Sequence, residues 1–198
     1  GSGKSQCVSF PNLLNNESNS LVVNDESGEL YRASIDSDSE FYNYTRMLEH
    51  KVLQLNPLDP DNSIHWNPLE NISTFDDANR LATSLVYTNN ADTPDASFWN
   101  DQATLLLTTA IYFLIKAQNK TGKIHLTFHN ITGVLSTPRE LLTNKIIELE
   151  DQKLLDNYMI GYGGADPKVA ASILNTASSA IKLYSTEAML KITQKISI

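Results

Sequence analysis

Along the chain the spacing of apolar positions changes character near residue 73. Before that point, short apolar runs alternate with helix-like ones. A helix is predicted over 8–14, stopped near Pro11 and Asn12. The β-branched run at 20–24 (SLVVN) predicts a strand ending at Asp25. Residues 36–49 open with N-cap candidates and carry Phe41, Tyr44, Met47 and Leu48 at helical spacing, predicting a second helix. HKVLQLN at 50–56 predicts a second strand. Prolines 57, 60 and 68 then interrupt the pattern.

Beyond them the period is helical. A helix over 76–87 places Ala78, Leu81, Ala82 and Leu85 on one face. The run 98–117 is apolar nearly all round and predicts a buried central helix, with Phe98, Leu105, Leu106, Ala110, Ile111, Phe113 and Leu114 in the core. Its longest apolar stretch, 103–115, is too short to span a bilayer. Residues 138–157 predict a further helix through Leu141, Leu142, Ile146, Leu149 and Leu154. Asp166 followed by Pro167 predicts the start of another, running through Ala171, Ile173, Leu174, Ala177 and Ile181. KIHLTFHNI at 123–131 alternates like a strand but has no evident partner, and is expected as loop or short helix.

Strand, helix, strand behind a phosphate loop is the opening of a parallel α/β sheet. The expected fold is therefore α/β plus all-α: a partial P-loop nucleotide-binding domain over 1–72, with a parallel RecA-like sheet, and an all-helical domain over 73–198. A chain of 198 residues, 41% hydrophobic, is long enough to bury a core. The single cysteine, Cys7, excludes an intrachain disulfide, and no signal peptide opens the chain.

Charge narrows the partners. The net −8 is concentrated in residues 1–72, with four Lys/Arg against eleven Asp/Glu, while 73–198 carries eleven against twelve. An acidic chain disfavours bulk nucleic-acid binding. The stretch 166–198 departs from this, holding Lys168, Lys182, Lys191 and Lys195 against Asp166 and Glu187. Those lysines read either as a local contact face for DNA or another substrate, or as a solvated helix face.

Candidate chemistry sits at the front, where GSGKSQ matches the end of a phosphate-binding loop, G-x-x-x-x-G-K-[ST]. Such loops work through backbone N–H groups and a helix N-terminus aimed at phosphate. Gly1, Ser2, Gly3, Lys4, Ser5 and Gln6 are the nucleotide-binding candidates. Lys4 would meet the β- and γ-phosphates and Ser5 would ligate Mg²⁺, making ATP and Mg²⁺ the expected cofactors. Asp25 and Glu29 are candidates for a position near the nucleotide, at the carboxyl end of the predicted strand. Asp25-Glu26-Ser27-Gly28 also reads as a polar turn before a helix capped by Ser27 or Asp25, which is compatible with that position. His125 and His129 lie four apart but lack the glutamate of a zinc-protease motif. Tyr158, Tyr162 and the glycines of IGYGGAD at 160–166 read as a base-stacking site or as a flexible loop between helices.

Taken in order, these segments resemble one family, the type IV secretion coupling proteins, the TraG-like ATPases of conjugation. GSGKS is followed by PNLL at 11–14 and VVNDESGELYR at 22–32, then by LNPLDPDNSIHWNPLENI at 55–72 and FWNDQATLLLTTAIYFL at 98–114. The last resembles the opening of the main helix of the family's all-α domain. Glu26 and Ser27 stand where the family usually has proline and lysine.

The resemblance implies a membrane-anchored, homohexameric ATPase on the cytoplasmic side of the cell membrane. It would deliver DNA, a relaxosome or an effector protein to the components of the secretion channel. It also implies that 73–198 faces the substrate. The family's acidic Walker B pair is not found after residue 185, so the chain itself is expected to be a poor ATPase. The alternative is a helical substrate-binding module of another P-loop DNA translocase of the FtsK or HerA type.

Overall fold

A computed structural model describes residues 8–15, 19–89, 94–123 and 126–193. The chain divides into two compact units, Gly1–Leu55 and Asn56–Ile198.

In the first unit three short helices form: α1 (Phe10–Leu14), α2 (Glu29–Ile35) and α3 (Glu40–Met47). Pro11 does not stop α1. It occupies the first turn, where its missing N–H has no intrahelical acceptor in any case. The α2 start is built by side chains. Asp25 accepts from Tyr31 N–H at 2.9 Å, Ser27 Oγ accepts from Glu29 N–H at 3.3 Å, and Gly28 takes a left-handed φ of 68° that reverses the chain into the helix. Ser39 caps α3 by accepting from Phe41 N–H, and Phe10 meets Phe41 edge-on at 5.7 Å.

The predicted parallel sheet is absent. Among the described residues there is no β-strand, and 20–24 and 50–56 carry no ladder. β-branched residues bias a backbone toward extension, but a strand exists only when a neighbour takes its N–H and C=O groups. Leu21, Val22 and Val23 are instead exposed at 52%, 105% and 47%. They find no pairing strand among the described residues, and the fold observed in those residues is helical.

The second unit holds α4 (Phe75–Asn89), α5 (Pro94–Thr121), α6 (Phe128–Leu135), α7 (Arg139–Ile147), α8 (Gln152–Tyr158), α9 (Pro167–Ile181) and α10 (Glu187–Thr193). At 28 residues, α5 is about 42 Å long and is the axis of the unit. Against it pack α4, through Ala78, Ala82, Leu85 and Val86, and α9, through Ala170, Ile173, Ala177 and Ile181. Alanines at helical spacing let the three backbones approach, and Leu106, Leu107, Ala110 and Ile111 of α5 fill the space between. Phe98, predicted as core, is half exposed at the open end of α5. Leu69 reaches the same core at 1% exposure, so the proline-rich segment packs with the helices.

The single helix predicted over 138–157 is broken into α7 and α8. Glu150 adopts a left-handed φ of 54°, and Asp151 restarts the chain by accepting from Leu154 N–H at 3.0 Å. Residues 128–131, predicted as loop or short helix, begin α6, capped by Thr127.

After α8 the chain does not loop out. Met159–Gly163 forms a π-helical turn seated on α5. A Cβ added to Gly161 would lie 2.6 Å from the Leu105 Cβ, so only glycine allows that approach. Asn157 bridges the same helix, donating to Leu105 O and to Thr109 Oγ1 at 2.8 Å each.

Candidate functional site

The phosphate-loop candidates Gly1, Ser2, Gly3, Lys4, Ser5 and Gln6 lie outside the described residues, as do Lys195 and His125. Asp25 and Glu29 are brought together at the α2 N-terminus. The Asp25 carboxylate accepts from Tyr31 N–H and from the Ser27 hydroxyl, the latter at 3.4 Å. The Asp25 carboxylate thus caps α2, while Glu29 joins the turn through its backbone N–H, which donates to Ser27 Oγ.

The lysines separate into two kinds. Lys191 is ion-paired with Asp61, on the helix that also accepts from Trp66 N–H through Ile192 O. Its charge is already answered. Lys168 and Lys182 are exposed and lie fourteen residues apart on α9 and its C-cap, about 21 Å along the axis. At 100° per residue they share one outward face with Ser172, Asn175 and Ser179, all exposed and none acidic. Lys182 also ends a groove of about 460 Å³ between α6 and α9, bordered by Thr132, Ser136, Ser178 and Ser185. This face offers hydroxyl, amide and ammonium donors and no carboxylate, which suits an anionic chain better than a basic one.

Base stacking by Tyr158 and Tyr162 has no structural support. Their exposures are 0% and 8%, their rings meet at 5.9 Å, and the Tyr158 hydroxyl donates to Arg139 O at 3.2 Å. Burial pushes the Tyr158 phenol above its ordinary pKa. Among the described residues, no group of three or more His, Cys, Asp or Glu is placed to hold a metal ion. No helix among them is long and apolar enough to cross a membrane.

Two charged clusters fix helix ends elsewhere in the second unit, at the start of α4 and between α5 and α8. Thr74 and Asp77 form a capping box: Thr74 Oγ1 accepts from Asp77 N–H at 3.1 Å, and Asp77 Oδ2 accepts from Thr74 N–H at 3.1 Å. The Thr74 hydroxyl bond and then Arg80 hold the Asp77 carboxyl well below the usual carboxylate range. This signature, Thr-x-x-Asp before an apolar period, is written in the sequence and marks the start of α4 sharply. Lys116 bonds Asp151 at 2.7 Å and lies over the Tyr112 ring at 5.1 Å, which raises its pKa.

The family described as Type IV secretory system Conjugative DNA transfer matches residues 1–196. The chain belongs to that family. No curated protein and no solved structure matches the chain.

Proposed function

We propose that this chain is the nucleotide-loop and helical portion of a coupling ATPase, which passes DNA or a DNA-bound protein to a type IV secretion channel. What supports this is the family match across residues 1–196 together with Gly3-Lys4-Ser5 at the front of the matched region. In this reading Lys4 neutralises charge on the β- and γ-phosphates of ATP, and Ser5 ligates Mg²⁺. Gly1, Ser2, Gly3 and Gln6 supply backbone N–H groups to the phosphates.

The helical unit makes the cargo contact. The observation that carries this assignment is the acid-free outward face of α9, with Lys168 and Lys182 at its two ends. Phosphates of a single strand would lie along that face and exchange their counterions for the two ammonium groups. The intact protein works as a membrane-anchored homohexamer beside the channel components.

The test is DNA transfer between cells whose coupling protein carries Lys4→Ala, or Lys168→Ala with Lys182→Ala. Transfer should collapse with the first and fall strongly with the second. Normal transfer with Lys4→Ala would overturn the ATPase assignment, and normal transfer with the double variant would overturn the cargo face.

A further inference from the structure

We infer that the cleft between α4 and α5 is a second recognition site, one that takes an arginine side chain from a protein segment. It goes beyond the α9 reading and is independent of it, since neither lysine of α9 contributes and its test contains no nucleic acid.

The cleft, of about 510 Å³, is lined by Asn79, Thr83, Tyr87, Asp101, Thr104 and Leu105. Its polar atoms are mostly acceptors. Asp101 Oδ1 accepts from the Tyr87 hydroxyl at 2.6 Å, which leaves the rest of an exposed carboxylate unanswered. Thr83 spends its hydroxyl hydrogen on Asn79 O at 2.8 Å and keeps its lone pairs, and Asn79 Oδ1 is 3.3 Å from the Thr108 hydroxyl. Among the described residues no cation pairs with Asp101. Along α5 no Lys or Arg occurs before Lys116, and Arg80 of α4 is committed to Asp77. An acceptor-rich cleft around one unpaired carboxylate is complementary to a donor-rich cation.

A second observation marks the floor. Thr104 is 8% exposed, and its hydroxyl oxygen is buried without a hydrogen-bond partner. Native proteins rarely leave such an atom orphaned, because the lost hydration is not repaid. Threonine in a helix divides between two side-chain rotamers. In its other helical rotamer the Thr104 hydroxyl takes a different staggered position on a residue that lines the cleft.

The cation's shape follows from the same atoms. A guanidinium presents a planar fork of N–H donors that meets a carboxylate with two parallel bonds and still reaches a neighbouring phenol or hydroxyl oxygen. An ammonium meets it as a point charge. Leu105 supplies an apolar wall for the side-chain stem. The π-helical turn that backs onto Leu105 through Gly161 carries Met159 and Ile160, exposed at 42% and 73%. An apolar residue beside the arginine has a surface to cover there.

Titration of the ¹⁵N-labelled chain with the capped tripeptide acetyl-Arg-Ala-Leu-amide, followed by amide chemical shifts, tests the assignment. Saturable shifts should map to 79–87 and 101–105. Affinity should drop at least about tenfold, the loss of one good charged contact, with a peptide carrying neutral citrulline for arginine and with Asp101→Asn. The citrulline arm uses the unaltered chain, so it reads the charge even where the variant folds poorly. Three results would each overturn the site: equal binding of the citrulline peptide, shifts that map elsewhere, or no saturable shift up to about 10 mM.

Discussion

Lys116 Nζ and Asp151 Oδ2, separated by 2.7 Å, join the last turns of α5 to the N-cap of α8. The same carboxylate accepts from Leu154 N–H, so one residue closes a helix start and an interhelical ion pair. Burial opposes ionisation of Asp151, but the Lys116 ammonium and the capping N–H outweigh it and hold the carboxyl below its ordinary value. A depressed acid contributes stability above the unfolded-state pKa, near 3.9, and loses it as pH falls through the folded value. Lys116, raised, contributes below its unfolded value near 10.4 and loses it as pH rises further. Thermal stability should therefore be flat between those limits with respect to this pair and fall in acid. Lys116→Met should cost on the order of 1 kcal/mol after solvent screening and reduce the acid sensitivity. A variant whose acid-unfolding curve superimposes on the original would refute the pairing.

Glycines 161 and 133 make opposite predictions from one substitution. At Gly161 an added methyl would meet Leu105 Cβ at 2.6 Å, within the backbone contact that seats the π-helical turn on α5. Gly161→Ala should cost about 1–3 kcal/mol as overpacking. Gly133 lies inside α6 with nothing within 4 Å of the added atom. Gly133→Ala should stabilise by about 0.5–1 kcal/mol, by restricting the unfolded chain and favouring the helix. Chemical denaturation of the two variants decides both, and equal effects in either direction would contradict the close approach at 161.

The orphaned hydroxyl of Thr104 gives a prediction of unusual sign. Thr104→Val keeps the shape and removes a buried polar atom that has no partner. The variant should be more stable by about 1 kcal/mol, where most buried substitutions destabilise. A loss of stability on thermal unfolding would show that the hydroxyl is satisfied in solution.

The elements legible in the sequence were those whose partners are built into a helical period. The faces of α4 and α9 are carried by Ala78, Ala82, Leu85 and by Ile173, Ala177, Ile181, and they pack as their spacing indicates. Leu106 and Ile111, at 1% and 0% exposure, sit at the centre of α5 as expected. Strand expectations at 20–24 and 50–56 failed because β-branched character encodes extension and not a pairing neighbour. The break between α7 and α8 was hidden because the apolar period continues across it. What breaks it is Glu150 in a left-handed conformation and an aspartate held by a lysine from another helix. Tyr158 and Tyr162 read as accessible because the turn that carries them is seated by Gly161 touching Leu105, a contact between distant positions. Of the lysines singled out in 166–198, the exposure of Lys168 and Lys182 follows from the helical period, while the pairing of Lys191 was hidden, since Asp61 lies 130 residues away.

That core assignment carries its own test. Leu106→Asp or Ile111→Asp would bury a carboxylate among apolar side chains with no cation in reach, costing several kcal/mol or forcing its protonation. Either variant should melt far below the parent chain, and an unchanged melting temperature would remove α5 from the centre of the core.

The division among the lysines predicts a graded response to nucleic acid. Lys168 and Lys182 are exposed on one face, whereas Lys191 already neutralises Asp61. If two ammonium groups meet phosphate, the logarithm of the affinity for a single strand should fall with the logarithm of salt concentration at a slope of about −1.4, or −0.7 for each contact. Such binding is weak and indifferent to sequence, because no base edge is read by an ammonium alone. Removing either Lys168 or Lys182 should lower the slope by about half, and removing both should abolish it. Lys191→Ala should leave it nearly unchanged, since that charge belongs to an internal pair. Fluorescence anisotropy with a labelled single strand, read at low and near-physiological salt, separates these cases. Equal losses from Lys191→Ala and Lys182→Ala would place the contact on net charge rather than on the α9 face. Binding that ignores salt altogether would exclude phosphate contact and turn the same face toward a protein cargo.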